Sequence, residues 1–331
     1  MDLILSKSWM IAGFTLSLIS IIRNDSLQTL GPFFLANQSR VPKWWQMIFL
    51  CTVSVVVLML GWSLNGGDPA WGRLNVPGHV FTQPPIFTWV YLIPPLAMLL
   101  LTQWGAPLST SFLVLSTFEF KNSSSLIQIS LFGYLIAFFI SILLYGLGLW
   151  VFERWIFNTN QSNHSVGTVW LITQWLATAF LWAIWLVQDL ANVFVFLPRQ
   201  LELLPMLMCT VLLCLGLCWL ISVGGGPIQG VLRTKTNASD LRSATAIDLL
   251  FGSCLVGSAL LTSFPLSTTW VFLGLLGGRE SALRFHSHRS NQPFALKDDG
   301  HWSEVLFADL SKASIAMIVS ILIASGLQPL L

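Results

Sequence analysis

The chain has 331 residues, of which 55% are apolar and only 9% charged, with 16 Lys and Arg against 14 Asp and Glu. Soluble globular chains carry about 25% charged residues, so there is too little charge here to cover a water-facing surface. Mean hydropathy of +0.75, with 16 Trp and 23 Phe, excludes disorder, a collagen-like repeat and a small disulfide scaffold, and points to an integral membrane protein. A net charge of +2 without basic runs gives no reason to expect a nucleic-acid partner.

About 20 apolar residues cross a bilayer core. By that ruler the first span is Trp9–Ile22. Lys7 ahead of it resembles the start of a signal peptide, but Arg23-Asn24-Asp25 stands where a small-residue cleavage site would be, so an uncleaved span is expected. Further spans are expected at Trp45–Leu64, Ile86–Trp104, Leu126–Phe152, Gly167–Val187, Leu201–Val223, Ala244–Ser263 and Val305–Leu327. Phe112–Phe118 and Val271–Leu276 are apolar but too short to cross. A strand-built barrel would show ~10-residue segments of alternating polarity, which the sequence lacks, so an all-α membrane protein is expected.

The segments between spans differ in charge. Leu232–Ser243 holds Arg233, Lys235 and Arg242 and is expected in the cytoplasm, whereas the uncharged Asn158–Val166 is expected outside. Glu153-Arg154 reads as an interface anchor, and the five His are all expected in loops. The five Cys sit inside apolar runs without a CxxC pair and read as small apolar fillers.

Three landmarks occur twice, in the same order. Asn24-Asp25-Ser-Leu-Gln28 has a counterpart in Gln188-Asp189-Leu-Ala-Asn192. Ser63–Pro69 corresponds to Ser222–Pro227, and Pro107-Leu-Ser109-Thr110-Ser111 to Pro265-Leu-Ser267-Thr268-Thr269. The last two pairs share one offset, from Pro69 to Pro227 and from Pro107 to Pro265. This predicts two transmembrane repeats, 1–157 and 166–331, joined by a linker at 158–165. Secondary transporters are commonly built from inverted-topology repeats that hold substrate where the repeats meet.

An Asp inside a bilayer is expensive. Either Asp25 and Asp189 end their helices at the membrane surface, or they form a buried site with the amides at −1 and +3, which stand about one turn apart on a helix. In a buried site the carboxylates would suit Na⁺ or a proton, and the amides would add neutral oxygens and N–H donors. The two Pro-Leu-Ser-Thr strings read as tips of re-entrant helical hairpins, whose hydroxyls and free helix N–H groups suit an anion. The plainer alternative is a pair of ordinary Ser/Thr-capped helices.

At these residues the sequence resembles the inorganic phosphate transporter (PiT) family of sodium- or proton-coupled phosphate permeases. That family carries a GANDVAN-type signature in each half and a Pro-x-Ser-Thr-Thr-His tip after it. The resemblance implies that Asp25 and Asp189 hold the coupling cation. It implies that Asn24, Gln28, Gln188 and Asn192, with Ser109, Thr110, Ser111, Ser267, Thr268 and Thr269, line the anion site. This chain departs from the pattern at Ile22-Arg23 and Val187-Gln188, at Phe112 and Trp270 in place of the tip His, and at Val195-Phe196 in place of Gly-Pro.

The function implied is a cation-coupled symporter of phosphate in the cell membrane, working by alternating access, with Na⁺ or H⁺ as coupling ion and no cofactor. A sulfate or other tetrahedral oxyanion permease, and a membrane sensor that binds the ion without moving it, are the alternatives. The spans contain no nucleophile–base pair or metal cluster, so an enzyme is not expected. The sequence is compatible with a homodimer and does not specify one.

Overall fold

The structure is a computed structural model that describes residues 2–103, 109–161, 167–224, 239–261, 267–290 and 302–330. Among the described residues it is helical apart from loops and one small hairpin, in which β1 (Asn75–Val76) pairs antiparallel with β2 (His79–Val80). Six of the described helices are long and apolar enough to cross a membrane: Leu3–Thr29, Lys43–Leu64, Phe120–Thr159, Thr168–Phe194, Leu203–Val223 and Leu241–Leu260. The apolar helix Trp89–Gln103 is shorter, as an arm of a re-entrant hairpin would be.

The first half opens with α1 (Asp2–Arg23), which breaks at Asn24 into α2 (Asp25–Thr29) and, after Leu30, α3 (Gly31–Asn37). Pro32 favours this last start, because a proline fits the first helical turn where its missing N–H is not needed. Next come α4 (Lys43–Leu64), entered from Pro42, and α5 (Ile93–Gln103). A π turn (Ser111–Leu115) leads into the short α6 (Ser116–Phe118). Then α7 (Ser123–Leu144) runs through a second π turn (Tyr145–Leu149) into α8 (Trp150–Gln161).

Helix α9 (Thr168–Asp189) breaks at Leu190 into α10 (Ala191–Phe194). Helix α11 (Leu203–Val223) ends on Gly224, whose φ of 82° is the left-handed conformation that glycine adopts freely at a helix end. Helices α12 (Leu241–Leu261), α13 (Thr268–Ser290) and α14 (Trp302–Leu327) complete the chain. Large apolar side chains from both halves, including Ile21, Ile22, Phe33, Phe112, Trp182, Trp185 and Phe196, form the buried core. The outward faces of α4, α7 and α11 carry exposed Leu, Ile, Val and Phe, as lipid-facing helices do.

Several expectations need correction. Val271–Leu276 is part of the 23-residue α13, whose later turns carry Arg279, Glu280 and Arg284 and so lower its apolarity. His286 and His288 lie on that helix, not in a loop. Glu153 is no interface anchor: it is fully buried and pairs with Arg279 at 2.8 Å. Helix α8 runs on to Gln161, into the first residues of the expected 158–165 linker, and 162–166 lie outside the described residues. Arg242 of the expected cytoplasmic loop belongs to α12 and pairs with Asp240 at 2.9 Å. Pro107, Pro265 and the 225–238 stretch lie outside the described residues.

Helix α13 is held by close backbone contact. Gly274 and Gly278 form a GxxxG pair facing α7. A Cβ at either would fall 2.3 Å from a carbonyl oxygen, that of Tyr134 for Gly274 and of Phe138 for Gly278. Small residues at this spacing let two membrane helices approach closely, and the contact fixes the helix that starts at the second tip.

Candidate functional site

Both helix breaks and both tips converge. Asp25 follows the break after α1, and its carboxylate accepts a hydrogen bond from Thr110 Oγ1 of the first tip. The other carboxylate oxygen accepts from Asn24 Nδ2 at 2.7 Å and from Thr269 Oγ1 of the second tip at 3.1 Å. Asp189, the last residue of α9, accepts from Thr268 Oγ1 and, at 3.3 Å, from Asn192 Nδ2. Asn192 Nδ2 also donates to Ser111 Oγ at 3.1 Å, which ties the second break to the first tip. Each carboxylate is buried and lies within range of the other's charge.

The remaining expected residues are all buried. Gln28 Nε2 donates to Asn24 Oδ1 at 3.0 Å, and Gln188 Nε2 donates to the Leu255 carbonyl of α12 at 3.1 Å. Ser109 caps the first tip, its hydroxyl accepting from the Phe112 amide at 3.2 Å. Ser267 precedes α13 and is buried. Phe112 and Trp270, which follow the two tips, are buried in the surrounding apolar wall. The alternative in which the two Asp merely end helices at the membrane surface does not fit their burial or their partners on distant segments.

Five polar oxygens in or beside this cluster are buried without a hydrogen-bond partner in the protein: Gln28 Oε1, Gln188 Oε1, Asn192 Oδ1, Ser26 Oγ and Ser267 Oγ. An unsatisfied buried polar group costs about 1–3 kcal/mol, and each of these oxygens calls for a physical explanation. Carboxylate, amide and hydroxyl oxygens form the donor set that hard cations prefer. Among the described residues, no group of three or more His, Cys, Asp and Glu is placed to hold a metal ion.

Sequence reading did not single out Arg73. It lies in the loop between α4 and α5, yet is buried and acts electrostatically on Asp189. Burial works against its positive charge, and the carboxylate of Asp189 favours it. Local structure holds it there. The Asp68 carboxylate accepts the Ala70 and Gly72 amides at 2.8 and 3.1 Å. Trp71 takes a left-handed φ of 56°, an unfavourable conformation for a bulky residue, and its indole covers Gly61. Farther along, the Phe81 carbonyl accepts from Arg199 Nη2 at 2.5 Å, and the Gly67 carbonyl accepts from the Leu201 amide at 2.9 Å. The loop is thereby stitched to the segment after α10. No periodicity in the sequence foretells a loop that turns inward.

No protein-family profile and no curated protein matches this chain. Its fold is similar to a solved structure described as "The sodium-dependent phosphate transporter", with a TM-score of 0.56 and 14% sequence identity over 96% of this chain and 95% of that one. At that identity the likeness establishes the architecture, which is that of a multi-pass helical membrane protein.

Proposed function

We propose that the protein is a cation-coupled phosphate symporter built from two inverted repeats, 1–157 and 166–331, which move against each other around the enclosed site. One observation carries this reading: the Asp25 carboxylate is bonded by hydroxyls from both tips, Thr110 of the first half and Thr269 of the second. A single charged group that holds both halves can register the arrival of a ligand and transmit it to both. The phosphate transporter to which the fold is similar supports the same substrate class.

The chemistry divides between two ions. Asp25 and Asp189 with the neighbouring amide oxygens take the cation, Na⁺ or H⁺, whose charge offsets part of the anion's. Each ion then raises the other's affinity by the same factor. The hydroxyls of Ser109, Thr110, Ser111, Ser267, Thr268 and Thr269, the amides of Asn24, Gln28, Gln188 and Asn192, and the guanidinium of Arg73 take the anion.

The acceptor oxygens favour phosphate over sulfate. Phosphate near neutral pH carries at least one O–H that can donate to a carboxylate or an amide oxygen, and sulfate carries none. A site with buried acceptors rejects an analogue that leaves them unpaired.

Accumulation of radiolabelled phosphate in proteoliposomes under an imposed Na⁺ or pH gradient tests the reading. Gradient-driven accumulation, with sulfate a poor competitor, is expected. Equal competition by sulfate would support the broader oxyanion permease, and binding without accumulation under either gradient would support the sensor and refute transport.

A further inference from the structure

Asp248 belongs to no part of the central site. It lies on α12, the arm that leads to the second tip, and is fully buried. Helix α9 provides its partners: Thr178 Oγ1 donates to Asp248 Oδ2 at 2.6 Å, and Gln174 Nε2 donates to the same oxygen at 3.3 Å. Gln174 Oε1 is occupied by Asn37 Nδ2 of α3 at 3.0 Å, and Asn37 Oδ1 by Trp175 Nε1 at 3.0 Å. The second carboxyl oxygen, Asp248 Oδ1, is buried with no hydrogen-bond partner in the protein.

Among the described residues, no charged side chain acts on Asp248. Among the described residues, the charged groups at and beside the start of α12 are engaged with one another. Asp240 and Arg242, near the start of α12, bond each other at 2.9 Å. Glu153 and Arg279, which meet α12 at Ser243, bond each other at 2.8 Å.

A buried carboxylate without a counter-charge costs far more than a neutral acid with one unpaired O–H. A hard cation would need a shell of six or so oxygens. Among the described residues, the partners of Asp248 do not supply one: Gln174 Nε2 and the Thr178 hydroxyl, whose hydrogen is shared with the Gln174 backbone carbonyl at 2.9 Å, face Oδ2, and the Gln174 side-chain oxygen is engaged by Asn37. A proton needs only Oδ1.

We propose that Asp248 is a proton-binding site, distinct from the Asp25–Asp189 enclosure, which pins α12 to α9 while the proton is bound. The proton comes from bulk water and converts the carboxylate to the carboxylic acid. The neutral carbonyl oxygen Oδ2 keeps its two donated bonds from α9. Separation of α12 from α9 breaks both bonds and admits water, which stabilises the carboxylate and releases the proton, so proton occupancy and arm position are linked. The site itself stands without the transport reading, and only the consequence of arm movement rests on it.

Infrared spectra of the purified protein in lipid nanodiscs, recorded in H₂O and D₂O, test this directly. A carboxylic-acid C=O band that shifts to lower frequency in D₂O is expected near neutral pH. It should be lost in Asp248→Asn and move to higher frequency in Thr178→Val, where one hydrogen bond to the carbonyl oxygen is gone. Retention of every wild-type carboxylic-acid band in Asp248→Asn overturns the proposal. If Asp248→Asn does not fold, an unshifted spectrum in Thr178→Val overturns it instead. Wild-type protein that shows this band but does not accumulate phosphate would refute the transport reading and leave the proton site standing.

Discussion

Thr269 donates a hydrogen bond to Asp25 over 3.1 Å, although 244 positions separate the two residues in the chain. The bond joins a tip in one half to a helix break in the other. A hydrogen bond to a charged group contributes about 1.5–3 kcal/mol. Thr269→Val is therefore expected to weaken the cation's apparent affinity by roughly 10-fold or more, and Thr269→Ser to retain most of it. Cation titration of phosphate uptake separates the two variants, and equal curves for Val and Ser would remove the bond from the account.

Arg73 supplies a positive charge beside Asp189 from outside the spans. Replacement by Gln keeps a polar side chain of similar reach and removes the charge. The expected result is a rise in KM for phosphate of about 10-fold, in line with the loss of one charge-assisted contact. Arg73→Lys should recover part of the loss, since charge returns without the planar fork. The KM values for the three proteins are the measurement.

Gly278 and Gly274 leave no space for a side chain against the α7 backbone. Gly278→Ala is expected to push α13 away from α7 and destabilise the protein by about 1–3 kcal/mol, the usual cost of overpacking. Gly257, where an added Cβ would meet nothing within 4 Å, is the control, and Gly257→Ala should melt with the wild type. Thermal melting in detergent provides the comparison.

Glu153 and Arg279 form a fully buried ion pair, completed by Ser243, which bonds both partners, and by Tyr145, whose ring lies 5.3 Å from the guanidinium. Glu153→Ala leaves the guanidinium without its main counter-charge and is expected to cost about 3–5 kcal/mol. Replacing both partners by apolar residues, as in Glu153→Leu with Arg279→Met, should restore much of that loss. A double variant no more stable than Glu153→Ala would show that the pair is not the source of the stabilisation.

Much of the architecture was legible because lipid imposes one demand on every span, and six of the expected spans appear as long apolar helices. The meeting of the two Asp segments with the two Ser/Thr segments was legible because Asp25 and Asp189 recur with the same flanking amides in an apolar setting. Helix α13 was not fully legible. Its later half carries Arg279 and Glu280, whose charges are neutralised by contacts that hydropathy cannot anticipate, one of them with Glu153 on α8. His286 was misplaced for a related reason: its ring stacks at 4.5 Å on Trp150, and its Nε2 meets the Gly146 carbonyl at 2.9 Å, within the π turn that interrupts the long helix. Arg73 was missed because it sits in a polar loop held inward by backbone turns, and no pattern of residue types records that direction.

The most direct measurement is phosphate accumulation by liposomes carrying the wild type, Asp25→Asn or Asp189→Asn, each confirmed to be folded by its melting curve. Both substitutions keep the size of the side chain and remove one negative charge from the enclosure. The wild type is expected to concentrate phosphate against its gradient, and neither variant is. Accumulation at the wild-type rate by either variant would refute coupling through these two carboxylates.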